Sequence, residues 1–265
     1  MNNVMPPPYT LIQISDTHLM DQADAYFVDI NPERNFHLLM QHILHHHPHI
    51  DSIVHTGDVA QVAKPATYAR YLRYMQNLKI PFYQTPGNHD DLTHFPYPNE
   101  QGPISLIEMG AWVMILLTSA VEGRIDGHID DVQLEQLQQL LQQYSKRHIL
   151  IGCHHHPLHM NSVWIDQHCL KNTPSLLDTL AKHPQVKAVI HGHVHQEFVE
   201  IARNITFLAV PATSVQFKPH SENFALDEIA PGYRVLYLYE NGQIETKVYR
   251  VSHLIQKINN DISGY

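Results

Sequence analysis

Cysteine is scarce in this chain, with two among 265 residues, Cys153 and Cys169. Two thiols make no disulfide framework, which predicts a reducing compartment. No apolar run approaches the roughly 20 residues needed to cross a bilayer. The first residues, with Pro6-Pro7-Pro8, lack the basic start and apolar core of a secretory leader. A soluble cytoplasmic protein with no membrane partner is the expectation. Cations are also in short supply: 17 Lys and Arg against 26 Asp and Glu leave a formal charge of −9. That excludes a surface built to grip long nucleic acid. A small anionic substrate stays allowed, because bound divalent cations reverse the sign locally.

Histidine, by contrast, is abundant, with 23 copies. The densest run, His42 to His49, falls at the end of a helix expected over 32–47 and just before Pro48. Neighbouring residues on a helix do not share a face. The run therefore reads as an exposed helix end whose imidazoles meet the C-terminal dipole, not as a metal site.

Apolar periodicity predicts strands over 10–14, 52–55, 81–84, 112–117, 148–152 and 186–190, with helices between them. The helix over 64–78 carries Tyr68, Leu72 and Met75 on one face. The helix over 132–144 carries Leu134, Leu137, Leu140, Leu141 and Tyr144 on its stripe, with Asp130 as cap and Gln133 completing a capping-box pair. Thr173 and Pro174 open another as N-cap and first helical residue. Strands over 205–210, 233–239 and 243–251 follow, the last two joined at Asn241-Gly242, a strong hairpin signal. A polar tail after Ser252 is expected to fray. At this length one large α/β domain or two small ones are possible, but no linker or repeat divides the chain, which favours one domain over 1–265 with an ordered core near 9–251.

Five stretches share one chemical theme: Asp16-Thr17-His18, Gly57-Asp58, Gly87-Asn88-His89-Asp90, His154-His155-His156 and Gly192-His193-Val194-His195. Each follows an expected strand, and the carboxyl ends of strands in an open α/β sheet gather on one edge. In an extended backbone, residues i and i+2 point the same way, so Asp16 and His18 reach one ion, as do His193 and His195. Asp58 follows a glycine that permits a sharp turn, and its two oxygens can bridge two cations. Asn88 adds a neutral oxygen and His154 a last nitrogen. Glycine, amide, imidazole and carboxylate in succession at 87–90 have no evident structural purpose. Cys153 lies on the apolar strand, pointing away from its neighbour's side. Oxygen and nitrogen donors together suit iron, manganese or zinc. Two such ions about 3.5–4 Å apart polarise a substrate oxygen and activate a water for in-line attack.

In this order the five stretches are similar to the calcineurin-like metallophosphoesterases, whose pattern is D-x-H, G-D, G-N-H-[DE], a later His and G-H-x-H. Segments 154–158, 164–168, 215–220 and 226–232 resemble those of bacterial class III cyclic-AMP phosphodiesterases, so the likeness covers nearly the whole chain. The resemblance implies an α/β/β/α sandwich with two mixed central sheets. It implies that Asp16, His18, Asp58 and His195 hold a first divalent or trivalent ion, and that Asp58, Asn88, His154 and His193 hold a second, iron or manganese before zinc. His155 stands close enough to His154 to compete for that place.

By the same resemblance His89 is catalytic without being a ligand. Together with His18, Asp58, Asn88 and His195 it meets the substrate. The implied reaction is hydrolysis of 3′,5′-cyclic AMP to 5′-AMP by a hydroxide held between the ions. Some members of the family dimerise, so a homodimer is expected. Alternatives are a broader phosphodiesterase acting on 2′,3′-cyclic nucleotides or other small diesters, and a binding module on the same scaffold. The segment after Asp58, Val59-Ala60-Gln61-Val62-Ala63, lacks the arginine with which phosphoprotein phosphatases grip a dianion. Trp164, Asp166 and Phe217 are candidates to contact the base.

Overall fold

The computed structural model describes residues 6–98 and 103–254. Strand and helix alternate at first: β1 (Tyr9–Ile14), α1 (Pro32–His46), β2 (Ser52–His55), α2 (Pro65–Asn77) and β3 (Phe82–Gln84). The hairpin β4 (Ile104–Met109) and β5 (Trp112–Leu117) comes next, followed by α3 (Asp131–Gln143), β6 (His148–Gly152), the one-turn α4 (Val163–Asp166), α5 (Thr173–Leu180) and β7 (Val186–His191). The rest is strand-rich: β8 (Phe198–Ala202), β9 (Ile205–Ala209), the short pair β10 (Gln216–Phe217) and β11 (Leu226–Asp227), then β12 (Gly232–Leu238) and β13 (Ile244–Arg250).

Two mixed sheets result. One runs β13-β12-β1-β2-β3, parallel from β1 to β3 and antiparallel at β12. The other runs β4-β5-β6-β7-β9-β8, parallel in its centre and antiparallel at both edges. Period-two alternation sorts β1: Ile12 and Ile14 pack on Phe36 and Leu39 of α1 and Tyr71 of α2, whereas Leu11 faces Trp112, Met114 and Leu150 of the other sheet. The far face of the second sheet, with Ile115, Ile151 and Phe207, packs on Leu137 of α3 and Leu176 and Leu180 of α5. Layers therefore stack α/β/β/α, as the resemblance implies. Both faces of each sheet are covered, which is why the strands read as continuous apolar runs. Each fully buried Leu or Ile contributes roughly 1.5–3 kcal/mol.

Arg234 is buried between the sheets. From β12 its guanidinium donates to the carbonyls of Ala209 (2.7 Å) and Phe198 (3.3 Å) in the second sheet and to Thr246 Oγ1 (3.1 Å). Burial lowers its pKa to about 10. The carbonyl of Ala209 is the last before the 210–215 loop, so this contact fixes where that loop starts.

Several sequence expectations need correction. The Asp130–Gln133 pair is not among them: Asp130 caps α3 through the amide of Gln133 (2.8 Å) and the Gln133 side chain donates back to Asp130 Oδ2 (3.1 Å), while also bridging the nitrogen and the carbonyl of Thr118. Helix α5 takes Asn172, not Thr173, as its N-cap residue, while the Thr173 hydroxyl bonds the carbonyls of Pro157 and Leu170. The histidine run is only partly exposed. His47 is buried with Nε2 2.9 Å from the Tyr233 hydroxyl, and His42 Nδ1 lies 3.1 Å from the same oxygen. No group with metal-ligand spacing among the described residues includes this run. Ser252–Leu254 form a 3-10 turn with Leu254 buried. The rest of the tail expected to fray lies outside the described residues, as do the first five residues of the expected leaderless start.

Candidate metal centre

The loops after β1, β2, β3, β6 and β7 meet on one edge of the sandwich. Asp16 N donates to Gly57 O (3.0 Å), and His18 N to Asp58 O (3.1 Å), so the first two loops run side by side. Gly57, at φ +100°, stands where any Cβ would strike the His154 ring. Asp16, His18, Asp58, His193 and His195 all adopt positive φ, between 48° and 69°. Asp-x-His and His-x-His are thus not extended, contrary to the i, i+2 expectation. In each pair both members are left-handed and flank a buried residue, Thr17 or Val194. Asp16 and His18 fall in one group together with His195, whereas His193 falls with His154, so the two histidines of His-x-His part instead of reaching one ion. A left-handed non-glycine residue costs roughly 1–2 kcal/mol, and such strain concentrates at functional sites. Surrounding bonds hold it in place: the Ser214 hydroxyl donates to Asp16 O (2.7 Å), and Thr213 N to Ser15 O (3.0 Å).

The ligand atoms expected from the sequence come together in two overlapping groups. Asp16 Oδ1 lies 3.2 Å from His195 Nε2, which lies 3.2 Å from His18 Nε2. Asp58 Oδ2 stands between the groups, 3.7 Å from His18 Nε2 and 3.3 Å from His154 Nε2. Asn88 Oδ1 is 3.2 Å from His154 Nε2. His193 completes the set. Its backbone N–H donates to both oxygens of Asp16 (3.2 Å), its ring centroid is 5.0 Å from that of His154, and its buried Nε2 has no hydrogen-bond partner.

Protonation decides whether this set fits cations. Nδ1 of His18 faces Gln61 Oε1 (2.7 Å), Nδ1 of His154 faces Thr56 O (2.7 Å) and Nδ1 of His195 faces Val215 O (2.8 Å). Carbonyl oxygens only accept, so each Nδ1 carries the hydrogen and, in the neutral ring, each Nε2 turns a lone pair inward. Burial, with His89 and His195 nearby, lowers the pKa of His18 to about 3 despite Asp58. Burial would raise Asp58, but His154, His89 and His18 hold its carboxyl well below the usual range. Burial would lower His154, yet Asp58 and Asp16 raise it to about 9. The cluster draws positive charge to itself, and inward lone pairs beside carboxylates fit metal ions. A fold of this type with these His and Asp groups fits a dinuclear metal site.

Neighbouring residues sort out by their bonds. His155 has both ring nitrogens engaged, Nδ1 with Ser119 Oγ (2.8 Å) and Nε2 with Ile125 O (3.0 Å). Cys153 is buried in the helix-facing core. Asp90 has a structural purpose that the sequence does not reveal. Its carboxylate accepts from the backbone of Val59 (3.1 Å), Ala60 (3.1 Å) and Gly87 (3.0 Å) and from the Tyr68 hydroxyl (3.0 Å). It thereby locks the loop bearing Asp58 to the loop bearing Asn88. Burial and the charge of Asp58 push its pKa up to about 7. His89 N donates to Asp58 Oδ1 (2.9 Å), and its ring packs edge-on against His18, centroids 5.0 Å apart.

A cavity opens above the cluster, with Asp58, Asn88, His89, His193 and His195 as its floor. Its walls are Ile125, Trp164, Ile165, His168 and Phe217. Trp164 and Phe217 stand there as the sequence suggests. Phe217 is buried and stacks flat on His195, centroids 4.0 Å apart and planes at 4°, with Trp164 edge-on 4.8 Å away. Asp166 does not line the cavity. It accepts from Met160 N (2.7 Å) and lies 3.3 Å from His156 Nε2, which ties α4 to the histidine triplet. Ile125 completes the walls without any sequence signal, and His168 lies in the 164–168 stretch that carries the resemblance but belongs to no ligand motif.

The fold and this cluster define a metal-dependent phosphoesterase. The chain belongs to the calcineurin-like phosphoesterase family, whose model matches residues 9–197. Among its relatives, the 3′,5′-cyclic adenosine monophosphate phosphodiesterase CpdA of Pseudomonas aeruginosa is 34% identical over 96% of this chain and 94% of its own length. The protein of the same description from Escherichia coli K12 is 37% identical over 91% of this chain and 90% of its own. A crystal structure of a dimetal phosphatase from Danio rerio superposes with a TM-score of 0.62 at 15% identity, covering 92% of this chain and 99% of that one. At that identity it shows a shared fold.

Proposed function

We propose that this protein hydrolyses 3′,5′-cyclic AMP to 5′-AMP in a reaction that depends on two metal ions. One observation carries the reading: inward Nε2 atoms surround the Asp58 carboxylate directly beneath a cavity whose floor includes His89. The named relatives support the choice of substrate.

Asp16, His18, Asp58 and His195 would hold one ion, and Asp58, Asn88, His154 and His193 the other, with Asp58 shared. Iron or manganese suits these donors, with zinc as a third choice. Bound there, such a pair would supply Lewis-acid polarisation of the phosphoryl oxygens and a water of lowered pKa. The chain's own residues do the rest. The Asp90 carboxylate keeps the Asp58 and Asn88 loops in register. The Thr56 and Val215 carbonyls fix the tautomers of His154 and His195. Phe217 covers one face of His195 and keeps water from it. His89 faces the phosphoryl group and supplies a proton to O3′ as the P–O3′ bond breaks and the new P–O bond forms, a role worth about 10²–10⁴ in rate. With His18, Asp58, Asn88 and His195 it forms the surface that the phosphate meets.

No helix among the described residues is long and apolar enough to cross a membrane, and both cysteines are free thiols. These support a cytoplasmic location. Val199 and Ile201, exposed on the edge strand β8, support a homodimer, which sedimentation of the purified protein tests. For the reaction itself, purified protein reloaded with manganese or iron should convert 3′,5′-cyclic AMP to 5′-AMP, resolved from 3′-AMP by chromatography. Turnover of 2′,3′-cyclic AMP alone would overturn the assignment.

A further inference from the structure

A diester whose phosphorus sits on the floor of the cavity has one way to place its remaining mass, outward along the walls. Four of the five wall residues, Ile125, Trp164, Ile165 and Phe217, present apolar or aromatic surface. The fifth, His168, is the wall's ionisable side chain. Its ring stands edge-on to Trp164, centroids 6.0 Å apart and planes at 84°. A flat heterocycle entering this slot meets aromatic surface, two isoleucine side chains and one imidazole.

The two sides of the slot are held at a set spacing. Gly127 N donates to Cys169 O (3.3 Å) and Lys171 N to Gly127 O (2.8 Å), so the loop carrying Ile125 runs alongside the segment that follows His168. Gly127 lies where a Cβ would collide with the His155 ring, which seats the loop against the histidine triplet. On the other side Leu170 N donates to His156 O (3.0 Å), and Asp166 faces His156 Nε2 (3.3 Å). Both walls are therefore referenced to the three-residue segment that contains His154. Slot and floor form one rigid unit, which a device for selecting substrates requires.

We infer that His168 is a specificity-determining residue, hydrogen-bonding the edge of the nucleobase while the phosphodiester lies over Asp58 and His89. Burial and the charge of Lys171 lower its pKa, so the ring is neutral at pH 7 and offers one donor and one acceptor. Adenine presents a matching acceptor and donor along its edge, and a ligand without a base presents neither. The inference rests on the cyclic-AMP reading of the same site.

The test compares 3′,5′-cyclic AMP with methyl p-nitrophenyl phosphate, a diester with no base. His168→Ala should raise the KM ratio of the first to the second about tenfold, the size of one hydrogen bond, with the kcat ratio within twofold. His168→Asn keeps a donor and an acceptor and should hold the KM ratio within about threefold of the parent. An unmoved KM ratio in His168→Ala, with normal cyclic-AMP turnover by the parent protein, overturns this inference alone. Absence of cyclic-AMP turnover by the parent protein overturns the underlying reading and this inference with it.

Discussion

His18 Nε2 and His195 Nε2 face each other across 3.2 Å, while Nδ1 of each ring is tied to a carbonyl oxygen. In neutral rings that places two lone pairs head to head inside a buried site, with Asp16 and Asp58 beside them. A cation between them turns the conflict into coordination. Binding to the fold and not to the unfolded chain stabilises by RT ln(1 + [L]/Kd), about 2.7 kcal/mol at a hundredfold excess over Kd. Manganese added to chelator-stripped protein should accordingly raise Tm by roughly 5 °C or more. A Tm indifferent to manganese, iron and zinc would contradict the metal reading.

Without metal, the buried histidines should make the protein acid-sensitive. Burial holds His55 at about 4 and His18 and His191 at about 3. Their unfolded values lie near 6.5. Between about pH 6.5 and 4 the unfolded chain takes up protons that the fold refuses, so stability falls as pH falls. His154 acts in the opposite sense. Raised to about 9, it contributes stability that is full below pH 6.5 and is lost as pH rises through 9. Thermal scans of metal-free protein should show a maximum near neutral pH, with the steeper loss on the acid side. A flat profile from pH 7 to 4.5 would refute this.

His89→Ala should keep both ions and lose about 10²–10⁴ in kcat. Metal analysis and steady-state kinetics on the same preparation separate the outcomes. Unchanged kcat removes His89 from the chemistry, and lost metal makes it a ligand.

Asp90→Ala strips the acceptor from three backbone N–H groups and from Tyr68. Each buried donor left unpaired costs about 1–3 kcal/mol, so urea denaturation should show a loss of at least about 3 kcal/mol together with weaker metal binding. Asp90→Asn retains one acceptor oxygen and should lose less. A loss below about 0.5 kcal/mol in Asp90→Ala would mean that the two loops hold their register without it.

Much of this site is legible in the sequence because donor chemistry is carried by residue type: Asp16, His18, Asp58, Asn88, His154, His193 and His195 each read as ligands from their chemistry and their order along the chain. The strands behind them are legible as apolar runs, since layers cover both faces. Backbone sign is not legible. Asp16 and His195 reach the centre through left-handed φ, a property the surrounding hydrogen bonds impose and side-chain spacing does not encode. Asp90 misleads for a related reason, because a carboxylate beside an imidazole looks like chemistry until its backbone donors are visible.

Elements without a strong period also escape. Strand β4, with half its residues partly or fully exposed, and the edge strand β8 lack the continuous apolar run that marks their neighbours. His47 looks exposed from its place at a helix end, and only the long-range approach of Tyr233 reveals that it is buried. The cavity walls depend on Gly127 and Leu170 pairing across 43 positions, a contact that local patterning does not report.

Two cations sharing the Asp58 carboxylate are the arrangement on which the proposed reaction depends. Equilibrium dialysis of the parent protein and Asp58→Ala against manganese, followed by elemental analysis, tests it most directly. The parent chain should bind two ions, and Asp58→Ala at most one, with cyclic-AMP turnover reduced by roughly 10³-fold or more. Two ions retained by Asp58→Ala would contradict the account.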